Sequence, residues 1–138
     1  MPAVRLLPPA TLLLLLTTAC ASAPARTGPD TTPWREPSSY AYTLVSDTQV
    51  LAGTFRITVR DARVTAATGL DDKRLLPQLP TIGDLLTRLR EARERDADTA
   101  DIEYAPDGRP TRLVLDDSKN AVDDEATYTI TAYTAAPA

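Results

Sequence analysis

From Gly53 to Arg60 the chain alternates strictly. Phe55, Ile57 and Val59 fall on one side, and Thr54, Arg56, Thr58 and Arg60 on the other. That period of two belongs to an antiparallel strand with one buried and one wet face. Residues 40–45 repeat it, with Tyr40, Tyr42 and Leu44 opposite Ala41, Thr43 and Val45. A turn at Asp61-Ala62 leads to a short third strand over 63–67, and residues 69–73 break the pattern.

The period changes after Pro80. Ile82, Leu85, Leu86, Leu89 and Ala92 recur at intervals of three and four, which is one face of a helix over about 82–96. Thr81 is placed to cap it, with Asp84 three residues on in the reciprocal position. Arg88, Arg90, Glu91, Arg93, Glu94 and Arg95 fill the remaining surface, which is expected to be wet. Asp84 with Arg88, and Glu91 with Arg95, stand four apart and are spaced to pair.

Strand patterning then returns at Ile102 and Tyr104, at 111–115 and at 126–133. Pro106-Asp107-Gly108 marks a turn. In the last strand Tyr128, Ile130 and Ala132 are expected to oppose Thr127, Thr129, Thr131 and Tyr133. The predicted order is β-β-β-α-β-β-β. Its economical solution is a two-layer α+β domain: an antiparallel sheet of five or six strands with one helix across a single face. Phe55, Ile57, Val59, Leu85, Leu89, Leu113 and Ile130 are expected to share the core.

The N-terminus has a different character. MPAVRLLPPATLLLLLTTAC carries one charge, Arg5, then a short apolar run and small residues leading to Cys20, the only cysteine. The apolar run is shorter than the roughly 20 residues a spanning helix needs, and it reads as an export signal. Leu16-Thr17-Thr18-Ala19-Cys20 resembles the lipobox of bacterial lipoprotein precursors, with Thr17 where Leu is usual and Leu16 one place earlier. The resemblance implies cleavage before Cys20 and its acylation. An ordinary secretion signal cut near Ala19 or Ala23, leaving a soluble secreted protein, is the alternative. The expected organisation is a signal at 1–19, a lipidated cysteine and flexible Ala-, Thr- and Pro-rich tether at 20–37, one domain at 38–134, and a tail at 135–138. Trp34, the only tryptophan, is expected to pin the start of the domain to the core.

Loss of residues 1–19 leaves fourteen basic against nineteen acidic residues, a net charge of −5. That balance disfavours nucleic acid and a polybasic hold on acidic lipid. Attachment to a membrane then falls to acyl chains. Histidine is absent, and with Cys20 acylated no thiol remains, so the commonest general base and the soft zinc ligands are missing.

Three clusters hold candidate chemistry. Asp116, Asp117, Asn120, Asp123 and Asp124 supply hard oxygen ligands suited to calcium, although the spacing is not that of an EF-hand. The competing reading is a solubilising loop whose aspartates cap turns. Glu103 with Asp123, Asp124 or Glu125 offers a carboxylate pair for a small hydrolase. Arg56, Arg60 and Arg112, with Arg109 and Tyr133, offer a binding face for an envelope protein or an anionic envelope polymer. The leading reading is a cell-envelope lipoprotein with a non-catalytic surface binding module and no cofactor; calcium binding and carboxylate hydrolysis are the alternatives.

Residues 34–133 resemble an uncharacterised family of small exported bacterial proteins, found mainly in actinobacteria. The resemblance rests on Trp34, Tyr40-Ala41-Tyr42, Phe55 to Val59, Thr81 to Leu86, Ile102-Glu103-Tyr104, Asp107 to Pro110, and Asp123-Asp124-Glu125 leading to Tyr128. It implies export and this fold, and no particular activity. Members often carry a cysteine pair before the second strand; this chain has none there.

Overall fold

The structure, a computed structural model, describes residues 26–27 and 34–136. The signal segment, Cys20 and most of the expected tether lie outside the described residues.

Strands β1 (Arg26–Thr27), β2 (Tyr40–Asp47), β3 (Gly53–Arg60) and β4 (Arg63–Thr68) precede helix α1 (Ile82–Glu94). Strands β5 (Thr99–Tyr104), β6 (Pro110–Asp116) and β7 (Glu125–Ala135) follow it. They form one antiparallel sheet in the order β1-β5-β6-β7-β2-β3-β4. The six long strands and the helix have the expected α+β order. The sheet is two three-stranded meanders joined side by side through β2 and β7. The helical crossover between the meanders leaves α1 on one face, where its apolar stripe and the sheet cover each other.

Ile82, Leu85, Leu89 and Ala92 of α1 are buried. They meet Tyr40, Tyr42, Leu44, Phe55, Ile57, Val59, Ile102, Leu113 and Ile130 in one core. Every expected core residue is there. Each such Leu, Ile or Phe removed from water contributes about 1.5–3 kcal/mol. Trp34 packs against the same core, edge-on to Tyr133 with ring centroids 6.4 Å apart.

Local chemistry explains the turns. Asp61 and Ala62 take φ of 49° and 58° between paired Arg60 and Arg63, the geometry of a two-residue hairpin loop that suits the sheet's twist. Thr81 and Asp84 form the reciprocal cap: Thr81 Oγ1 accepts the Asp84 N–H at 3.0 Å, and Asp84 Oδ2 accepts the Thr81 N–H at 2.8 Å. That use of Asp84 explains why it does not pair with Arg88. Arg95 likewise turns from Glu91 to Asp117, at 3.0 Å.

Two elements escaped the sequence pattern. A 3-10 turn over Lys73–Gln78, capped by Asp72, bridges β4 to the helix. Strand β1 sets Arg26 opposite Tyr104 and Thr27 opposite Glu103, extending the sheet at the β5 edge. It covers backbone groups that would otherwise be unpaired.

The alternation expected for β7 fails after Ile130. Thr43 faces Thr131 and Ala41 faces Thr134, so Ala132 and Tyr133 together oppose Tyr42 alone. Ala132 takes φ 47° in this bulge. The extra residue reverses the phase. Tyr133 therefore turns onto the helix side, its ring centroid 5.6 Å from that of Tyr40, and leaves the face that carries Arg56.

Candidate functional site

The acidic loop is occupied by its own turns and neighbours. Asp124 Oδ2 accepts the Ser118 N–H at 2.8 Å, and Asp123 Oδ1 accepts from Gln49 Nε2 at 3.1 Å. Asp117 pairs with Arg95, and the Asn120 N–H goes to Ser118 Oγ at 3.3 Å. Asp116 Oδ1 and Asp124 Oδ1 are buried without a hydrogen bond. Among the described residues, no three His, Cys, Asp or Glu side chains gather in a way that would hold a metal ion. The expected calcium set of Asp116, Asp117, Asn120, Asp123 and Asp124 is therefore not assembled. Asp117, Asp123 and Asp124 each turn to a different partner instead.

Nor does Glu103 come together with Glu125. Glu103 faces Arg112, whose other neighbour is Thr129 on β7, whereas Glu125 faces Asp116 at the far end of β6. Two strand spacings and four residue steps separate Glu103 from Glu125, roughly 15 Å. Glycosidase carboxylates stand about 5–9.5 Å apart.

The expected arginine face is only partly a face. Arg56 donates Nη1 to the Ala132 carbonyl and so satisfies the bulge. Arg112 stands 3.6 Å from Glu103. Arg56 and Arg60 border a shallow hollow of about 270 Å³ with Ala41, Thr58 and Thr134. Tyr133 is on the other side of the sheet. There the Arg109 guanidinium lies 4.8 Å from its ring centroid, and burial raises the Tyr133 phenol above its ordinary pKa.

At the start of α1, long-range contacts complete the cap. The Ile82 N–H donates to Tyr40 Oη at 2.9 Å, and the Gly83 N–H donates to Glu36 Oε1 at 2.9 Å. Tyr40 donates its own hydroxyl to Glu36, and Tyr42 donates to the Pro80 carbonyl. Both phenols are pushed well above their ordinary range. Burial is the main cause for each; the bond to Glu36 adds to it at Tyr40, and the Asp84 charge at Tyr42. The helix's positive end is thus filled by protein groups.

The largest cavity described lies further along α1. It holds about 400 Å³ and opens between the β2–β3 loop, the end of the 3-10 turn with Pro80, and the helix. Val50, Leu51, Pro77 and Pro80 supply apolar wall, and Arg88 and Tyr128 stand together on one side. Arg88 Nη1 donates to Tyr128 Oη at 2.9 Å. Arg88 is half-buried, and among the described residues no carboxylate forms an ion pair with it. Ser46 is buried at the inner end, its hydroxyl given to the Leu51 carbonyl at 2.6 Å. Thr48 Oγ1 accepts the Leu51 N–H at 3.0 Å and ties the same loop.

Sequence patterning had placed Arg88 on the wet side of the helix. Its signal was its position, beside Leu89 and three residues after Leu85, at the border of the apolar stripe. The loss of its Asp84 partner to the cap was the other clue, visible once Thr81 and Asp84 are read as a capping box.

No curated protein and no solved structure matches the chain. One family model matches residues 32–135, nearly the whole described domain, and its description is a family of unknown function, DUF6174. The chain belongs to that family.

Proposed function

We propose that this protein is an exported cell-envelope lipoprotein, anchored through acylated Cys20, whose domain is a non-catalytic binding module with its site in the Arg88–Tyr128 cavity. One observation carries the reading: half-buried Arg88, without a described carboxylate within ion-pair distance, donates to Tyr128 at 2.9 Å beside a cavity of about 400 Å³ with apolar walls.

The anchor itself is supported by the position of the single cysteine after a short apolar segment and an alanine. Acylation also gives that thiol a purpose, because an unpaired exposed thiol in an oxidising compartment is a liability. The absence of histidine favours binding over catalysis. Metabolic labelling with a palmitate analogue tests the anchor. Label on the wild-type chain that disappears in Cys20→Ser is expected. Label that persists in Cys20→Ser, or is missing from the wild type, refutes the anchor and favours plain secretion.

A further inference from the structure

We propose that the cavity beside α1 binds a small organic carboxylate, with Arg88 and Tyr128 gripping the carboxylate and the loop walls enclosing an apolar body. The inference deepens the binding-module reading and rests on it.

Arg88 carries five N–H donors. One is used on Tyr128, and no described carboxylate stands within ion-pair distance of the guanidinium. Tyr128 Oη accepts that bond and keeps its own hydrogen to donate. Two donor groups therefore stand 2.9 Å apart, both able to reach one carboxylate. A guanidinium prefers a planar carboxylate that takes two parallel bonds, and such charge-assisted bonds are roughly twice as strong as neutral ones.

The remaining hydroxyls at the cavity are already committed. Ser46 serves the Leu51 carbonyl, and Thr48 serves Leu51 through both its donor and its acceptor. The charged end of a ligand is thus met by Arg88 and Tyr128, with the Gln78 amide as a further polar group in the lining, and Val50, Leu51, Pro77 and Pro80 supply the apolar wall. A multiply charged polar ligand would leave its other charges against these walls. A single carboxylate on a ring or short chain matches both halves. The volume of about 400 Å³ is within the usual range for small-molecule sites.

Val50 is a large apolar side chain, 77% exposed at the cavity rim. An apolar body seated against Leu51 and Pro77 would cover part of it.

The test is a titration of the full-length chain in mild detergent with sodium benzoate, and in parallel with neutral benzamide. It is followed by nuclear magnetic resonance of the backbone amides and the Arg88 Nε–H. The expected result is saturable shifts at Leu51, Gln78, Arg88 and Tyr128 with benzoate, at least about tenfold weaker with benzamide. Arg88→Gln, which keeps a donor for Tyr128, should weaken benzoate by a similar factor, its amide spectrum reporting that the fold is retained. Equal binding of benzoate and benzamide overturns the carboxylate assignment while leaving a binding cavity. Shifts from neither compound overturn both the assignment and the cavity as the module's site.

Discussion

Glu36 accepts the backbone N–H of Gly83 at 2.9 Å, although the two lie 47 residues apart. The segment before the first long strand is thereby fastened to the start of the helix. A Cβ on Gly83 would stand 1.9 Å from Glu36 Oε2, so the contact depends on glycine. Glycine in a helix ordinarily costs up to about 1 kcal/mol relative to alanine.

The pair therefore predicts a reversal of sign. Glu36→Ala should destabilise the domain by about 1–2 kcal/mol through loss of charge at the helix N-terminus and of the bonds to Gly83 and Tyr40. Gly83→Ala should gain no stability in the wild type, because it expels Glu36. In the Glu36→Ala background the same substitution should stabilise by up to about 1 kcal/mol. Denaturant unfolding of the four proteins measures the cycle; additive effects would contradict it.

Ala62 holds φ 58° in the hairpin between β3 and β4, a conformation that costs an alanine about 1 kcal/mol or more. Ala62→Gly should raise stability by roughly 0.5–1 kcal/mol without altering the fold, because glycine adopts that region freely. A lowered midpoint of denaturation would show that the turn takes another form.

Tyr40 and Tyr42 carry hydroxyls whose ionisation is opposed chiefly by burial. In the unfolded chain they titrate near pH 10. Their neutral forms favour the folded state fully below that pH. As pH rises further, the unfolded chain loses protons that the folded chain retains. Stability should then fall by about 1.4 kcal/mol per pH unit for each phenol until the folded group ionises. In an alkaline titration, two of the five tyrosines should give tyrosinate absorbance only as the domain unfolds. Reversible ionisation of all five with the fold intact would contradict this.

Leu85 and Leu89 are fully enclosed, whereas Arg90 is exposed. Leu85→Asp or Leu89→Asp should abolish the cooperative thermal transition, since each places a charge in an apolar core with no partner. Arg90→Asp should change stability by no more than about 0.5 kcal/mol. Calorimetry distinguishes the two classes directly.

Local periodicity made most of the fold legible. The alternation through Phe55, Ile57 and Val59 and the stripe through Leu85 and Leu89 each identify an element and its buried face. What was illegible came from contacts distant in sequence. The two-residue β1 has no period to detect. The bulge at Ala132 depends on the register of β7 against β2, so a phase counted forward from Tyr128 misplaced Tyr133. Glu36 looked like part of the tether because its partners are Tyr40 and a backbone amide on α1. In the acidic loop composition counts carboxylates, but Arg95, Gln49 and the Ser118 amide decide where they point, and the Asp124 bond to Ser118 is the turn-capping the sequence also suggested. Arg88 lies within a helix face rich in arginine, and its place at the border of the apolar stripe, with the cavity beside it, distinguishes it from exposed Arg90.

The anchored state is the central premise of the account, and intact-mass spectrometry of the chain extracted from the envelope tests it most directly. The account predicts a polypeptide beginning at Cys20 whose mass exceeds that of residues 20–138 by a diacylglyceryl group, with or without a third acyl chain. A chain that begins at Met1, or one cut at or beyond Cys20 with no added lipid mass, would contradict it.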